Sequence, residues 1–166
     1  MAPLKIRPLN DADWRDLWPI IEAVTREGET YTYPLDLTEA AARALWTPPP
    51  PGGTLVALAD GRVVGAAKII PNQQGRGSHV ANGSFMVEAQ ARGRGVARAL
   101  GEAALDFARA AGFRSMQFNA VVESNANAVA LWRKLGFEII GTVPEAFDHP
   151  LHGLVGLIFP RKSGRG

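Results

Sequence analysis

Arg92-Gly93-Arg94-Gly95-Val96-Ala97 sets cationic side chains and glycines immediately ahead of an apolar run. The residues before this turn, Val80 to Val87, read as a strand, and those after it, Val96 to Ala111, read as a helix. A helix N-terminus offers unpaired backbone N–H groups and a partial positive charge, and glycine lets a ligand approach the backbone with no Cβ in the way. The chemistry predicted for the turn is the cradling of a pyrophosphate, hence the binding of a phosphate-bearing cofactor. A second candidate is Asn119, inside the run Met116 to Val122, whose alternation reads as a strand. Strands disfavour asparagine, and a buried amide needs a partner or a task. A third is the polar, aromatic segment Glu29-Thr30-Tyr31-Thr32-Tyr33-Pro34, which could line a pocket or decorate a loop.

The elements that must position these residues follow from periodicity. Leu4 to Arg7 reads as a first strand, and Asn10 or Asp11 can cap the helix that follows. Trp14, Leu17, Trp18, Ile21 and Val24 give that helix one apolar face, and Gly28 ends it. A shorter helix, Thr38 to Trp46, stops before the prolines from Pro48 to Pro51. Thr54 to Ala59 and Arg62 to Ile70 flank Asp60-Gly61, a two-residue hairpin signal. The helix after the Arg92 turn carries Val96, Leu100, Ala104, Phe107 and Ala111 on one stripe, with Gly112 as its cap. Ser124 or Asn125 caps a further helix bearing Ala128, Leu131, Trp132 and Leu135, ended by Gly136. Phe137 to Val143 and Leu154 to Phe159 read as closing strands, separated by Glu145 to Gly153. The order β-α-α-β-β-β-α-β-α-β-β predicts an α/β (α+β) protein with helices on the faces of a mixed sheet.

Length and composition narrow the function classes. The chain has 166 residues, 46% hydrophobic and 20% charged, as expected for a single globular domain with a real core. Residues 1–160 read as that domain and 161–166, Arg-Lys-Ser-Gly-Arg-Gly, as a basic, frayed tail. No apolar run is long enough to span a membrane, Met1 to Asp13 holds no hydrophobic signal segment, and a membrane partner is not expected. The absence of cysteine excludes disulfides, thiolate metal sites and a cysteine nucleophile, and suits the cytoplasm. His149-x-x-His152 is too thin for a metal site, and His79, His149 and His152 read as loop residues, so no metal is predicted. The net charge of +2 is too small to argue for nucleic acid. An RNA-contacting RGRG would need aromatics interleaved with a wide basic face, and the chain lacks them.

The run from Val87 through Arg92-Gly93-Arg94-Gly95-Val96-Ala97 resembles the acetyl-CoA signature of the GNAT acetyltransferases. A frame beginning at Gln90 also fits, and Arg92 is preferred for its distance from Val87. The run Asn125-x-x-Ala128-x-x-Leu131-Trp132-x-x-x-Gly136-Phe137 resembles the family's second signature, which flanks the pantetheine arm. The resemblance covers Leu4 to Phe159. It implies a mostly antiparallel sheet of about seven strands, flanked by about four helices, with splayed fourth and fifth strands that admit acetyl-CoA. The pantetheine would pair with the backbone near Phe85 and Val87, and the pyrophosphate would meet amides from Arg92 to Ala97. Arg92 and Arg94 would favour the adenosine phosphates, and Asn125, Ala128 and Trp132 would line the arm. A homodimer is also implied. Short words, Asn82 in "NGSFMV", Asn119 in "FNAVV", Asn125 and the Glu29 to Pro34 loop, are similar to fungal acetyltransferases that act on proline analogues such as azetidine-2-carboxylate.

The implied reaction is attack of a neutral primary or secondary amine, on a small or amino-acid-like molecule, at the thioester carbonyl. Asn82 and Asn119 would hold the amine or an ordered water, and Thr30, Tyr31 and Tyr33 would line its pocket. Glu29, Glu88 and His79 are the candidate bases. Trp132 stands where many family members carry a tyrosine that protonates the departing thiolate. That role then falls to water, Tyr31 or Tyr33, or else the protein is a CoA-binding module without catalysis. Within the enzyme class, a protein N-terminus or lysine is the rival acceptor.

Overall fold

The computed structural model describes residues 3–164. Strand β1 (Lys5–Pro8) leads through a 3-10 turn capped by Asn10 into α1 (Trp14–Glu27). Asn10 and Asp13 exchange side-chain-to-backbone bonds across that turn at 3.1 and 2.9 Å. Gly28, at φ 67°, ends α1 in the left-handed conformation that the Glu29 loop needs to turn back across the sheet. Next comes α2 (Glu39–Trp46), whose cap Thr38 accepts from the Ala41 N–H at 3.2 Å. The hairpin β2 (Gly53–Ala59) and β3 (Arg62–Pro71) turns at Asp60 and Gly61, at φ 52° and 76°. β4 (Val80–Val87) runs into α3 (Val96–Ala110). β5 (Ser115–Gln117), β6 (Val121–Val122), α4 (Ala126–Lys134) and the long hairpin β7 (Glu138–His149) and β8 (Gly153–Ser163) complete the order.

The strands form one mixed sheet in the order β1-β2-β3-β4-β5-β8-β6, with β7 on the other edge of β8. All pairings are antiparallel except β4 with β5. Two apolar layers sandwich the sheet. On one face Leu17, Ile21 and Val24 of α1 and Trp46 of α2 bury against Val56, Val63 and Met86. On the other, Val96, Leu100 and Ala104 of α3 and Trp132 of α4 bury against Ala67, Ile69 and Phe118.

Three sequence expectations are corrected. The predicted strand Met116 to Val122 is two strands, β5 and β6, and Asn119 stands at a bend between them. The segment Glu145 to Gly153 is a separator only at its tip: β7 continues to His149 across two register shifts, one at Glu145 with φ 53°. His149 is accordingly a buried strand residue, and its Nδ1 accepts from the Leu151 and His152 N–H groups at 3.1 and 3.3 Å. The basic tail is not frayed through Ser163. Arg161, Lys162 and Ser163 belong to β8 and pair with Gln117, Met116 and Ser115; Arg165 and Gly166 lie outside the described residues.

Candidate functional site

β4 pairs with β3 along its whole length but with β5 only at Val80↔Ser115 and Ala81↔Met116. Beyond Ala81 the two strands separate, and the β5-facing edge of β4 has no strand partner. Tyr31 reaches this edge from the loop after α1. Its hydroxyl donates to the Phe85 C=O at 2.5 Å and accepts from the Phe85 N–H at 2.8 Å. One phenol oxygen thus satisfies both backbone groups of a strand residue that would otherwise lack partners. Burial, then the neighbouring Tyr33, pushes the Tyr31 phenol far above its ordinary range, so it stays a neutral donor.

Tyr33 stacks on Tyr31, with ring centroids 5.3 Å apart and planes 20° apart. Its hydroxyl lies 3.3 Å from Lys68 Nζ. Lys68 sits on β3 directly across from Ser84 of β4, on the sheet face that packs against α1 and α2. Asn82 is two residues along β4, opposite Ile70, where β4 leaves β5. Asn119 lies on the β5 side of the same opening, but its amide is engaged: Nδ2 donates to Asn72 Oδ1 at 2.6 Å, and Oδ1 accepts from Gln117 Nε2 at 3.2 Å. Glu29 and Thr30 are half-buried in the Tyr31 loop.

At the other end of β4 the turn into α3 is open. Gly93 and Gly95 have φ of 74° and 80°, and a Cβ on either would meet no atom within 4 Å. Residues 92–95 are exposed, Val96 is buried as the first core residue of α3, and Ala97 is half-buried. The helix ladder begins with the Ala99 N–H on the Gly95 carbonyl, so the preceding N–H groups of α3 are not spent within the helix. The Arg92 guanidinium donates to the Glu27 carboxylate at 3.1 and 3.3 Å, tying the turn to the end of α1. A cleft of about 280 Å³ lies between these elements, bordered by Arg15, Glu27, Arg62, Glu88 and Arg92.

The second predicted binding run has mixed duties. Asn125 caps α4, accepting from the Ala128 N–H at 3.2 Å. Trp132 is 6% exposed and belongs to an aromatic cluster with Phe85, Phe118 and Phe137, at centroid distances of 4.6, 4.6 and 5.7 Å. Phe85 and Val87 are half-buried at the open edge. Of the three candidate bases, Glu88 is held by a bidentate pair with Arg62 at 2.7 and 2.9 Å, and that contact lowers its pKa. His79 is exposed before β4 begins, with Nδ1 3.1 Å from the Arg76 carbonyl, several strand residues from Phe85. Glu29 alone shares a loop with Tyr31. Among the described residues no cluster of three His, Asp or Glu could hold a metal ion, and no helix is long and apolar enough to cross a membrane.

Sequence reasoning missed Lys68 and Ser84 and the Asn72–Gln117 partners of Asn119. The available signal for Lys68 was a lone lysine in the otherwise apolar run from Val63 to Ile70.

Comparison with known proteins adds the following. Residues 14–137 match the model of the acetyltransferase (GNAT) family. A GCN5-related N-acetyltransferase structure from Kribbella flavida is 52% identical, with TM-score 0.93, covering 96% of this chain and 97% of that one. The N-acetyltransferase aca1 of Schizosaccharomyces pombe is 40% identical over 84 residues, 51% of this chain and 40% of the relative, so the match spans well under half of that protein. A phosphinothricin acetyltransferase from Sinorhizobium meliloti, solved in complex with AcCoA, shares the fold at TM-score 0.87 and 23% identity over 96% of this chain and 88% of that one.

Proposed function

This chain belongs to the GNAT acetyltransferase family and is an acyltransferase, and on that basis we propose that it transfers the acetyl group of acetyl-CoA to a neutral amine of a small, amino-acid-like molecule. The observation that carries the reading is the continuity of two features: the open edge of β4 beyond Ala81 leads directly into an exposed, glycine-bearing turn at the N-terminus of α3. These residues fit the molecule. A pantetheine arm is a chain of amides suited to an unpaired strand edge, and a pyrophosphate is suited to the amides of Gly93 to Ala97. The backbone groups of Phe85 and Val87 are assigned to the arm, with Arg92 and Arg94 near the phosphates.

Acetyl-CoA would supply an activated thioester. The chain's part is to hold the acceptor nitrogen against the thioester carbon, which accounts for much of the acceleration in such reactions. A β4 backbone N–H not taken by the arm, or an asparagine amide, is assigned as the donor to the developing oxyanion, a role worth several kcal/mol when preorganised. Asn82 and Asn119 at the mouth of the opening are assigned to the acceptor, and Thr30, Tyr31 and Tyr33 to its pocket. Trp132 is assigned to packing, since its indole is no useful acid and it is buried among phenyl rings. The departing thiolate then takes its proton from water, since the buried Tyr31 phenol holds its own proton too tightly. The reading also carries a homodimer and a cytoplasmic setting.

The test has two arms. Acetyl-CoA raises the melting temperature in proportion to its binding. Thiol release is then followed over a panel of amines led by azetidine-2-carboxylate and proline-like compounds. A protein whose melting temperature does not move at millimolar acetyl-CoA refutes the reading. Turnover of peptides and not of small amines moves the acceptor to proteins.

A further inference from the structure

Lys68 is 5% exposed, and its charged end meets no carboxylate among the described residues. Nζ contacts the Tyr33 hydroxyl at 3.3 Å and lies 5.4 and 6.0 Å from the ring centroids of Trp46 and Tyr33. A buried ammonium without a counter-charge is costly, and ring faces offset only part of that cost. A methionine or leucine would fill this space without it, so packing alone gives no reason for a lysine. The groups that face Lys68 are Tyr33 from the loop, Ser84 from β4 and Trp46 from α2, and Tyr33 alone of these titrates. Burial is the sole cause acting on the Lys68 amine and pushes its pKa down. Burial, partly offset by Ser84, pushes the Tyr33 phenol up. The pair is therefore a buried hydroxyl beside a buried amine whose charged form burial disfavours. The Tyr33 ring stacks on Tyr31, whose oxygen is on the Phe85 peptide, so one stacked ring separates the pair from the edge assigned to the thioester.

We propose that Lys68 is the terminal proton acceptor of the acetyl transfer, reached through the Tyr33 hydroxyl. The inference rests on the acetyltransferase reading above. As the nitrogen–carbon bond forms and the carbon–sulfur bond breaks, the nitrogen loses one proton. That proton passes to Tyr33 Oη while the proton already on Oη passes to the lone pair of Lys68 Nζ. The sulfur leaves with the bonding electrons and is protonated by solvent, and Lys68 returns its proton to solvent before the next turnover. The products are the amide and the free thiol, with no oxidant or further reactant needed.

Two measurements test this on the intact protein. The first needs no acceptor: ¹³Cε chemical shifts of the lysines are followed against pH. Lys68 is expected to titrate below the ordinary lysine range, and a Lys68 that titrates within that range overturns the proposal. The second follows thiol release with azetidine-2-carboxylate, or the panel amine turned over fastest, at saturating acetyl-CoA. Lys68→Met, which suits the apolar surroundings, and Lys68→Arg, which keeps the charge but cannot cycle a proton, are each expected to lower kcat by roughly 100-fold or more. Both lose the rise of kcat with pH that marks a neutral amine and keep the acetyl-CoA melting shift. Tyr33→Phe is expected to do the same, and the double variant to be no worse than either single one. A Lys68→Met protein that keeps kcat and its pH profile but raises KM overturns the proposal in favour of a substrate-carboxylate anchor. Loss of the acetyl-CoA melting shift in the unsubstituted protein is a failure of the acetyltransferase reading instead.

Discussion

Tyr31→Phe separates two things that the Tyr31 hydroxyl could be doing at the edge of β4. In the structure it takes both backbone groups of Phe85, at 2.5 and 2.8 Å. Under the proposed function, those groups are the ones the pantetheine arm needs, so acetyl-CoA must displace the hydroxyl to bind. A net intramolecular hydrogen bond contributes about 0.5–1.5 kcal/mol. Two bonds share one oxygen here, and water can reach a half-buried edge once the oxygen is gone, so the contact is worth about 1–2 kcal/mol. Phenylalanine keeps the stack on Tyr33 and removes only this contact. The ligand-free protein should then melt lower by roughly 2–8 °C, the shift expected for that loss in a chain of this size. The same free energy no longer opposes acetyl-CoA, so its Kd should tighten by roughly 5- to 30-fold. Because the loss and the gain are one term of a cycle, the melting temperatures of the two proteins should converge as acetyl-CoA approaches saturation. Scanning calorimetry with an acetyl-CoA series and direct titration calorimetry measure both sides. A variant that melts lower but binds acetyl-CoA no tighter refutes the competition, and leaves the hydroxyl as a brace for the loop.

Other substitutions test the remaining parts. Gly95→Ala places a Cβ on a residue at φ 80°, where surrounding space is free but the conformation costs about 1–2 kcal/mol; thermal melts should fall modestly, and acetyl-CoA should bind more weakly because the Cβ stands beside the amides assigned to the phosphates. Trp132→Ala should destabilise by about 3–5 kcal/mol in denaturant titrations, since it empties the space between Phe85, Phe118 and Phe137, whereas Trp132→Phe should keep kcat, and a collapse of kcat there would restore an indole role in the chemistry. Asp13 is held below the ordinary aspartate pKa first by its hydrogen bonds with Arg7, then by the Asn10 N–H, against its own burial. A depressed folded-state pKa adds stability above the unfolded value and loses it as pH falls through the folded value. Asp13→Asn should therefore melt lower than the unsubstituted protein at pH 7, and the gap should close on acidification below the usual aspartate range.

What the sequence made legible was local. The faces of α1 and α3 could be read because their apolar residues repeat at the helical period, and the β2–β3 turn because Asp60 and Gly61 tolerate positive φ. The Arg92 to Ala97 turn was legible for the same reason: glycine type and helix position are both written in adjacent residues. Lys68 was not, because its meaning depends on Tyr33 and Trp46, from other elements, closing over it. Tyr31 and Phe85 were each singled out, but the bond between them joins positions 54 residues apart and leaves no mark in either neighbourhood.

The break between β5 and β6 shows how a distant residue shapes the site. Alternation runs from Met116 to Ala120, across the break, so nothing there announces it. The cause lies in β8. Pro160 sits between β7, where it faces Ile139, and the β5–β6 edge, where its carbonyl accepts from the Phe118 N–H at 2.9 Å. In an antiparallel strand the N–H and C=O of one residue point to the same neighbour, so the N–H that proline lacks is missing from that β5–β6 edge. Pairing stops at Gln117↔Arg161 and resumes at Val121↔Ile158. The residues released, Phe118 to Ala120, put Phe118 into the aromatic cluster and leave Asn119 at a bend, bonded to Asn72 of the β3–β4 connection. In sequence the last strand read as ending at Phe159, just before Pro160. In the sheet it lies within β8, and the gap in its ladder frees Asn119 from pairing beside the opening where β4 and β5 part.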